Sequence, residues 1–313
     1  MSRYKRITFA VLLFSLFSFL LFFPEKALEC AQKGLLLWYR NLVPVLFPFM
    51  VLSNLMIRMD LIRSLLRFLH PFFHFVWGTS LYGSYGILGG FLFGFPMGAK
   101  ITADLQKENR ISDCEAKYLM GFVNNLSPAF VITFVVHSSL QQTSLLFPTL
   151  VILYGSPILC SLIYGLHYRK RLAESKVHPQ QNKTSLVQNQ FELLDACIFD
   201  GITNITKLGA YIMLFSLLAG VLDLLPTKNT LLHCILTGCL EVSAGVHAIA
   251  HMPFPFPVQY LCLIAVCSFG GLCALFQTLS IYKMKRDILR HYLISKMITL
   301  GISFLLTLIF LTA

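Results

Sequence analysis

The feature that limits this chain most is a succession of apolar stretches about as long as a bilayer is thick. Thr8 to Phe23, Leu35 to Ile57, Leu145 to Leu166, Ile202 to Leu225 and Tyr292 to Leu311 carry almost no charge, and a helix needs roughly 20 such residues to cross a hydrocarbon core of about 30 Å. Inside hydrocarbon each backbone N–H and C=O must be satisfied by the protein itself, which makes such segments helical. Hydrophobic residues are 56% of the 313 and charged residues only 12%, with a mean hydropathy of +0.71, a balance that excludes an ordinary water-soluble domain. An all-α integral membrane fold follows, with the lipid bilayer as its first partner.

The formal net charge is +11. The Lys and Arg residues sit in short clusters between apolar stretches and make no aromatic-interleaved basic groove, so no nucleic acid is expected as a partner. They act instead as orientation signals, because cytoplasmic loops carry the excess of Lys and Arg. With a cytoplasmic N-terminus, the clusters around Arg3, Arg63, Arg110, Arg169 and Lys285 all fall inside, and only Lys26, Lys33 and Lys228 fall outside. Arg40, Lys100, Lys207 and Lys296 lie within or at the ends of apolar segments. The opening MSRYKR and its apolar run have the regions of a secretory signal, but the run is longer than a signal core and no A-x-A site follows, so residues 1–26 read as a retained transmembrane helix.

Parity then demands that one segment re-enters, or that the stretch Leu65 to Trp77 crosses. Between the cytoplasmic residues near Arg67 and the cytoplasmic linker 167–190 lie three apolar segments, 81–104, 115–137 and 145–166, and three crossings cannot return to the same side. The same problem recurs between the linker and Lys283. The economical solution makes 81–104 dip in from the cytoplasm and 231–252 dip in from outside. The halves also match in order: Asn41-Leu42 with Asn204-Ile205, GGFLFGFPMGAK with TGCLEVSAGVH, and YLMGFVNNLSPAF with YLCLIAVCSFGGL. Residues 27–166 and 191–313 are therefore expected to form an inverted-topology repeat with two re-entrant hairpins, an architecture common among secondary transporters.

Irregular backbone at membrane depth is tolerated where protein or a water-filled cavity satisfies it, so the breaks mark the expected site. Gly94-Phe95-Pro96-Met97-Gly98 reads as one hairpin tip and Val242-Ser243-Ala244-Gly245 as the other. Asn124-Asn125-Leu126-Ser127-Pro128 and Ser268-Phe269-Gly270-Gly271 read as unwound centres of two crossing helices. Half-helices that begin at such breaks present free N–H groups to an anion. Lys100 suits an anionic substrate, Glu241 suits a coupling proton or a pairing with Lys100, and Gln277 suits a polar contact; a structural ion pair, snorkelling or a helix–helix hydrogen bond are the plain alternatives. His247 and His251 have the spacing of a metal pair but no third ligand, so no metal is expected. The nine Cys are scattered singly and read as packing residues. No catalytic pair or triad can be placed on a common face, so an enzyme is not expected, nor is a cofactor.

At these residues the chain resembles the nucleoside-recognition, or Gate-domain, membrane proteins, and in particular sporulation integral membrane proteins of YlbJ type. WYRNLVPVLFPFMVLSNL, GFLFGFPMGAK, EAKYLMGFVNNLSPAF, GCLEVSAGV and SFGGLCALFQT carry the resemblance from about Leu35 onward. It implies a fold similar to concentrative nucleoside transporters and a carrier in the bacterial cell membrane, or the forespore membrane, that moves dipicolinic acid. No residue picks out a ribose or a base. A coupled nucleoside carrier and a non-transporting scaffold for spore assembly stay open beside that reading, and a homo-oligomer is compatible with it.

Overall fold

The computed structural model describes residues 3–174, 190–224 and 230–312. Linker positions Lys176 and Lys183, and Lys228, lie outside the described residues. Helix α1 (Arg3–Phe22) turns through 112° into α2 (Pro24–Leu36), which continues through a π-helical stretch (Leu37–Leu42) into α3 (Val43–Arg58). Pro24 stands at the start of α2, where its missing N–H costs no helical bond. Two short helices, α4 (Ile62–Leu66) and α5 (His70–Trp77), lead to α6 (Leu81–Phe93), α7 (Met97–Lys107) and α8 (Asp113–Met120). After an unwound segment comes α9 (Pro128–Phe130), continued by π-helical turns Val131–Leu140 and then by α10 (Leu146–Glu174). The second half comprises α11 (Gln190–Leu222), α12 (Thr230–Leu240), α13 (Val242–Ala250), α14 (Phe256–Phe269), α15 (Gly271–Ile281) and α16 (Arg286–Thr312).

Thr143–Leu166, Gln190–Leu222, Phe256–Ile281 and Arg286–Thr312 are long and apolar enough to cross a membrane, and the bent pair at Phe23 adds a fifth. Their outer faces are apolar: Phe14 is 73% exposed and Leu166 82%, the reverse of a water-facing surface. Their inner contacts are small and hydroxylic. Ser295, Thr299, Ser303 and Thr307 recur every fourth residue along α16, all buried where it meets α10 and α14, and small residues of this kind let membrane helices approach closely.

Helices α6 and α7 have 13 and 11 residues, or about 20 and 16 Å at the α-helical rise, too short to cross a core of about 30 Å. Gly86 faces Leu105 and Gly89 faces Ile101, a pairing that makes the two antiparallel. Ser80 caps α6 by accepting from the Gly83 N–H at 3.0 Å, and Gly94 ends it with a φ of +70°. The second hairpin, α12 and α13, is closed by Gly238 lying directly against Gly245.

Contacts at the helix ends sort these pieces. Asp60 after α3, Tyr82 of α6 and Arg110 after α7 form one cluster, with Arg110 donating to the Tyr82 hydroxyl at 3.1 Å. Nearby loops join it: Lys117 of α8 meets Asp287 of α16 at 2.9 Å, and Lys285 pairs with Asp113. Asp223 after α11 and His233 of α12 make a separate contact at 3.3 Å. Each hairpin has its own core, with Ile87, Ile101, Leu105 and Leu119 around the first and Val246, Ile249, Tyr260 and Leu263 around the second.

Candidate functional site

Helices break at or next to all four places read from the sequence, and all four breaks reach one cavity of about 620 Å³. Phe95 and Pro96 come from the first hairpin, Leu126 and Ser127 from the unwound segment before α9, Glu241 to Ser243 from the second hairpin, and Gly270, Cys273, Ala274 and Gln277 from the second break. Leu42, Leu46, Leu208 and Ile212 of α2–α3 and α11 close it with apolar wall. Volume and lining match small-molecule pockets, which are mostly apolar with a few placed polar groups.

The second tip needs one correction. Val242-Ser243-Ala244-Gly245 is the first turn of α13, and the turn itself is Glu241, which has extended backbone and caps that helix. Its carboxylate accepts from the Ser243 N–H at 3.0 Å and the Ala244 N–H at 2.7 Å. The amides expected to be free for an anion are thus already taken by the protein's own acid. Ser127 does the same for the Phe130 N–H at 3.2 Å.

Lys100 is placed away from the cavity lining. It is 4% exposed, and its ammonium lies 2.6 Å from Asp104 and 2.7 Å from Asp200, with Asn54 donating to the same Asp200 oxygen at 2.9 Å. The geometry is a structural ion cluster joining α7, α11 and α3; a Lys100–Glu241 pair does not form. Gly98 lies against the backbone of Val123 and Gly94 against Asn125 to Ser127, so both are close-approach positions rather than lining groups. Gly271, with a φ of +77°, faces the carbonyls of Gly238 and Leu240, and Gly245 faces Gly238. Ser268 is buried with no partner for its hydroxyl among the described residues. Gln277 lines the cavity and donates to Cys273 Sγ at 3.1 Å. The rings of His247 and His251 stack at 4.4 Å on α13.

The unwound segment 121–127 shows how non-helical backbone survives in this setting. Asn125 donates its side-chain amide to the Phe122 carbonyl, the Phe95 N–H reaches the Asn125 carbonyl, and the Tyr154 hydroxyl reaches that of Leu126 at 2.7 Å. The Asn124 carbonyl receives the ammonium of Lys296 at 2.6 Å, which also donates to Asn125 Oδ1 at 3.2 Å. Asn124 itself donates to Thr278 Oγ1 at 2.9 Å and to the Tyr292 hydroxyl at 3.1 Å. Asn124 and Asn125 therefore build the cavity wall from behind. Lys296 and Tyr292 were not singled out in the sequence, although a lone Lys in the middle of an apolar helix is itself a signal.

Fold and site together define a multi-pass helical membrane protein with a small-molecule-sized cavity between two helical hairpins and two broken helices. Over 161 residues the chain is 32% identical to the sporulation integral membrane protein YlbJ of Bacillus subtilis (strain 168). That match supports the YlbJ-type kinship read from the residues; it covers 51% of this chain and only 38% of the relative's length. No family model matches, so the Gate-domain part of that reading has no such support. No solved structure matches either.

Proposed function

We propose that the chain is a transporter of a small anionic metabolite working by alternating access, with dipicolinic acid carried into the forespore during sporulation as the substrate. The convergence of all four helix breaks on a single cavity carries this reading. The sporulation setting comes from the name of the relative. Re-entry of both hairpins, from opposite faces, and the inverted repeat belong to the proposal; the two separate clusters of helix-end contacts support them, with the N-terminus and the Asp60–Tyr82–Arg110 cluster cytoplasmic. Rocking of one hairpin and its broken helix against the other would expose the cavity to each side in turn.

Phe93, Phe95, Phe130 and Phe134 give aromatic walls to a planar ring, while Ser127, Thr133, Ser243 and Gln277 offer polar contacts to its substituents. A carboxylate entering beside Glu241 meets a like charge unless Glu241 is protonated, so proton and substrate are carried together. A nucleoside carrier is the second reading, favoured by a lining that contains Glu241 and Gln277 but no basic residue.

Uptake into proteoliposomes decides between them. Labelled dipicolinate should accumulate in response to an inward proton gradient, and unlabelled nucleosides should not compete. Uptake of labelled nucleoside that dipicolinate leaves unchanged would replace the first reading by the second.

A further inference from the structure

A buried ammonium needs compensation, and Lys296 has an unusual kind. It is 7% exposed, and among the described residues no carboxylate lies within 4.0 Å of it. Its ligands are neutral oxygens: the main-chain carbonyl of Asn124 and the side-chain carbonyl of Asn125, both in the unwound segment. The Tyr292 ring centroid lies 5.9 Å from its nitrogen. Carbonyl oxygens of broken backbone together with a tyrosine face make a cation site, and the cation in it is covalently attached to α16.

The segment so held is thin and has work on both faces. One side abuts Gly90, Gly94 and Gly98 of the first hairpin, and the other abuts His291 and Ser295 of α16 beside Gly121. Ser127 at its end lines the cavity. A positive charge is thus used to fix backbone that would otherwise carry unmet carbonyls next to the substrate space.

We propose that Lys296 is a tethered cation standing where a free monovalent ion would otherwise be required to hold segment 121–127 against the cavity, so that the carrier runs without sodium. Lys296 is a positioning residue, acting on substrate through Asn124 and Asn125. The proposal deepens the transporter reading and rests on it for the statement about sodium, while the cation site can be tested on its own.

The test compares wild type, Lys296→Ala and Lys296→Met by thermal unfolding of the purified full chain and by uptake, in sodium, methylammonium or choline chloride. Wild type is expected to be indifferent to the cation in both assays. Lys296→Ala opens a vacancy: its midpoint falls in choline and recovers in methylammonium or sodium, and its uptake falls by roughly tenfold to a hundredfold, as for unmet buried hydrogen bonds, with recovery in the same salts. Lys296→Met fills the vacancy with an uncharged chain, so no salt restores it. Cation-insensitive Lys296→Ala, a Lys296→Met equal to wild type, or sodium-dependent wild-type uptake would each overturn the proposal. If wild type transports nothing yet the unfolding pattern appears, the tethered cation stands and the transporter reading falls. Should Lys296→Ala fail to accumulate, Lys296→Arg, which keeps the charge, is expected to retain uptake where Lys296→Met does not, and equal behaviour of those two would count against the proposal.

Discussion

Lys100 of the first hairpin and Asp200 of α11 hold each other at 2.7 Å, with Asp104 closing on the same ammonium at 2.6 Å. The contact ties a short hairpin, which lacks the length to anchor itself across the bilayer, to one of the longest helices in the bundle. It also fixes what Lys100 does: both its neighbours are acids, and the cavity lies elsewhere.

Removing that ammonium alone leaves two carboxylates facing each other, Asp104 mostly buried and Asp200 with 39% of its side chain exposed. Because water screens Asp200, Lys100→Met is expected to destabilise the protein by about 1–3 kcal/mol, less than breaking a fully buried pair. The variant Lys100→Met with Asp104→Asn and Asp200→Asn should regain most of the stability and keep uptake. Thermal unfolding and uptake of the two variants check this; loss of uptake in the stable triple variant would return Lys100 to the substrate.

Glu241 caps α13 and, on the proposed transporter reading, carries the coupled proton, two tasks that separate by substitution. Glu241→Ala loses the cap of α13, at a cost of about 0.5–2 kcal/mol, read as a lower unfolding midpoint. Glu241→Gln keeps one acceptor oxygen, enough for either the Ser243 or the Ala244 amide, but no proton to give, so it should lose less stability than Glu241→Ala and transport without dependence on a proton gradient. Gradient-driven uptake persisting in Glu241→Gln would remove this residue from the coupling.

Close approach of backbone at the first tip predicts a contrast between two glycines. A methyl at Gly98 would meet the Val123 backbone, which cannot step aside, whereas nothing lies within 4 Å of one at Gly155. Gly98→Ala should lower both stability and uptake. Gly155→Ala should leave uptake unchanged and gain up to about 1 kcal/mol of helix propensity. Unfolding midpoints of the two variants measure the difference.

The loop between α7 and α8 gives a pH prediction. Hydrogen bonds from Lys285 and then Gln106 hold the Asp113 carboxyl below its usual value. A lowered carboxylate pKa contributes stability above the unfolded value, near about 4, and that contribution is lost as pH falls through the folded value. The stability deficit of Asp113→Asn should therefore be constant from about pH 6 to 8 and vanish in acid, as unfolding midpoints across that range would show.

The breaks were legible because Gly and Pro at membrane depth have local causes: Gly94 and Gly270 adopt positive φ, and Pro96 and Pro128 begin helices or precede them. The second tip lies one residue earlier than expected because Glu241 was given to a coupling proton or a pairing with Lys100, when its short distance in sequence from Ser243 already permitted a cap. For Lys100 the sequence leaves a substrate contact and a structural ion pair both open, since its partner Asp200 lies a hundred positions away and no local pattern joins them. Lys296 is visible in the sequence as a charge in an apolar segment but has no role legible there, because its ligands are carbonyls, which any residue has and no motif announces. The apolar spans themselves were readable from length alone, but their packing, carried by the Ser295 to Thr307 stripe, needed the neighbours to be known.

Substrate is proposed to occupy the space where the four breaks meet. Dipicolinate uptake by proteoliposomes of Ser243→Trp is the measurement that bears on this, because Ser243 lines that space and the Glu241 cap rests first on main-chain amides, with the Ser243 hydroxyl a lesser partner. The expected result is a protein with wild-type abundance and unfolding midpoint whose uptake is reduced to background. Full dipicolinate uptake by a folded Ser243→Trp protein would mean that the substrate passes elsewhere.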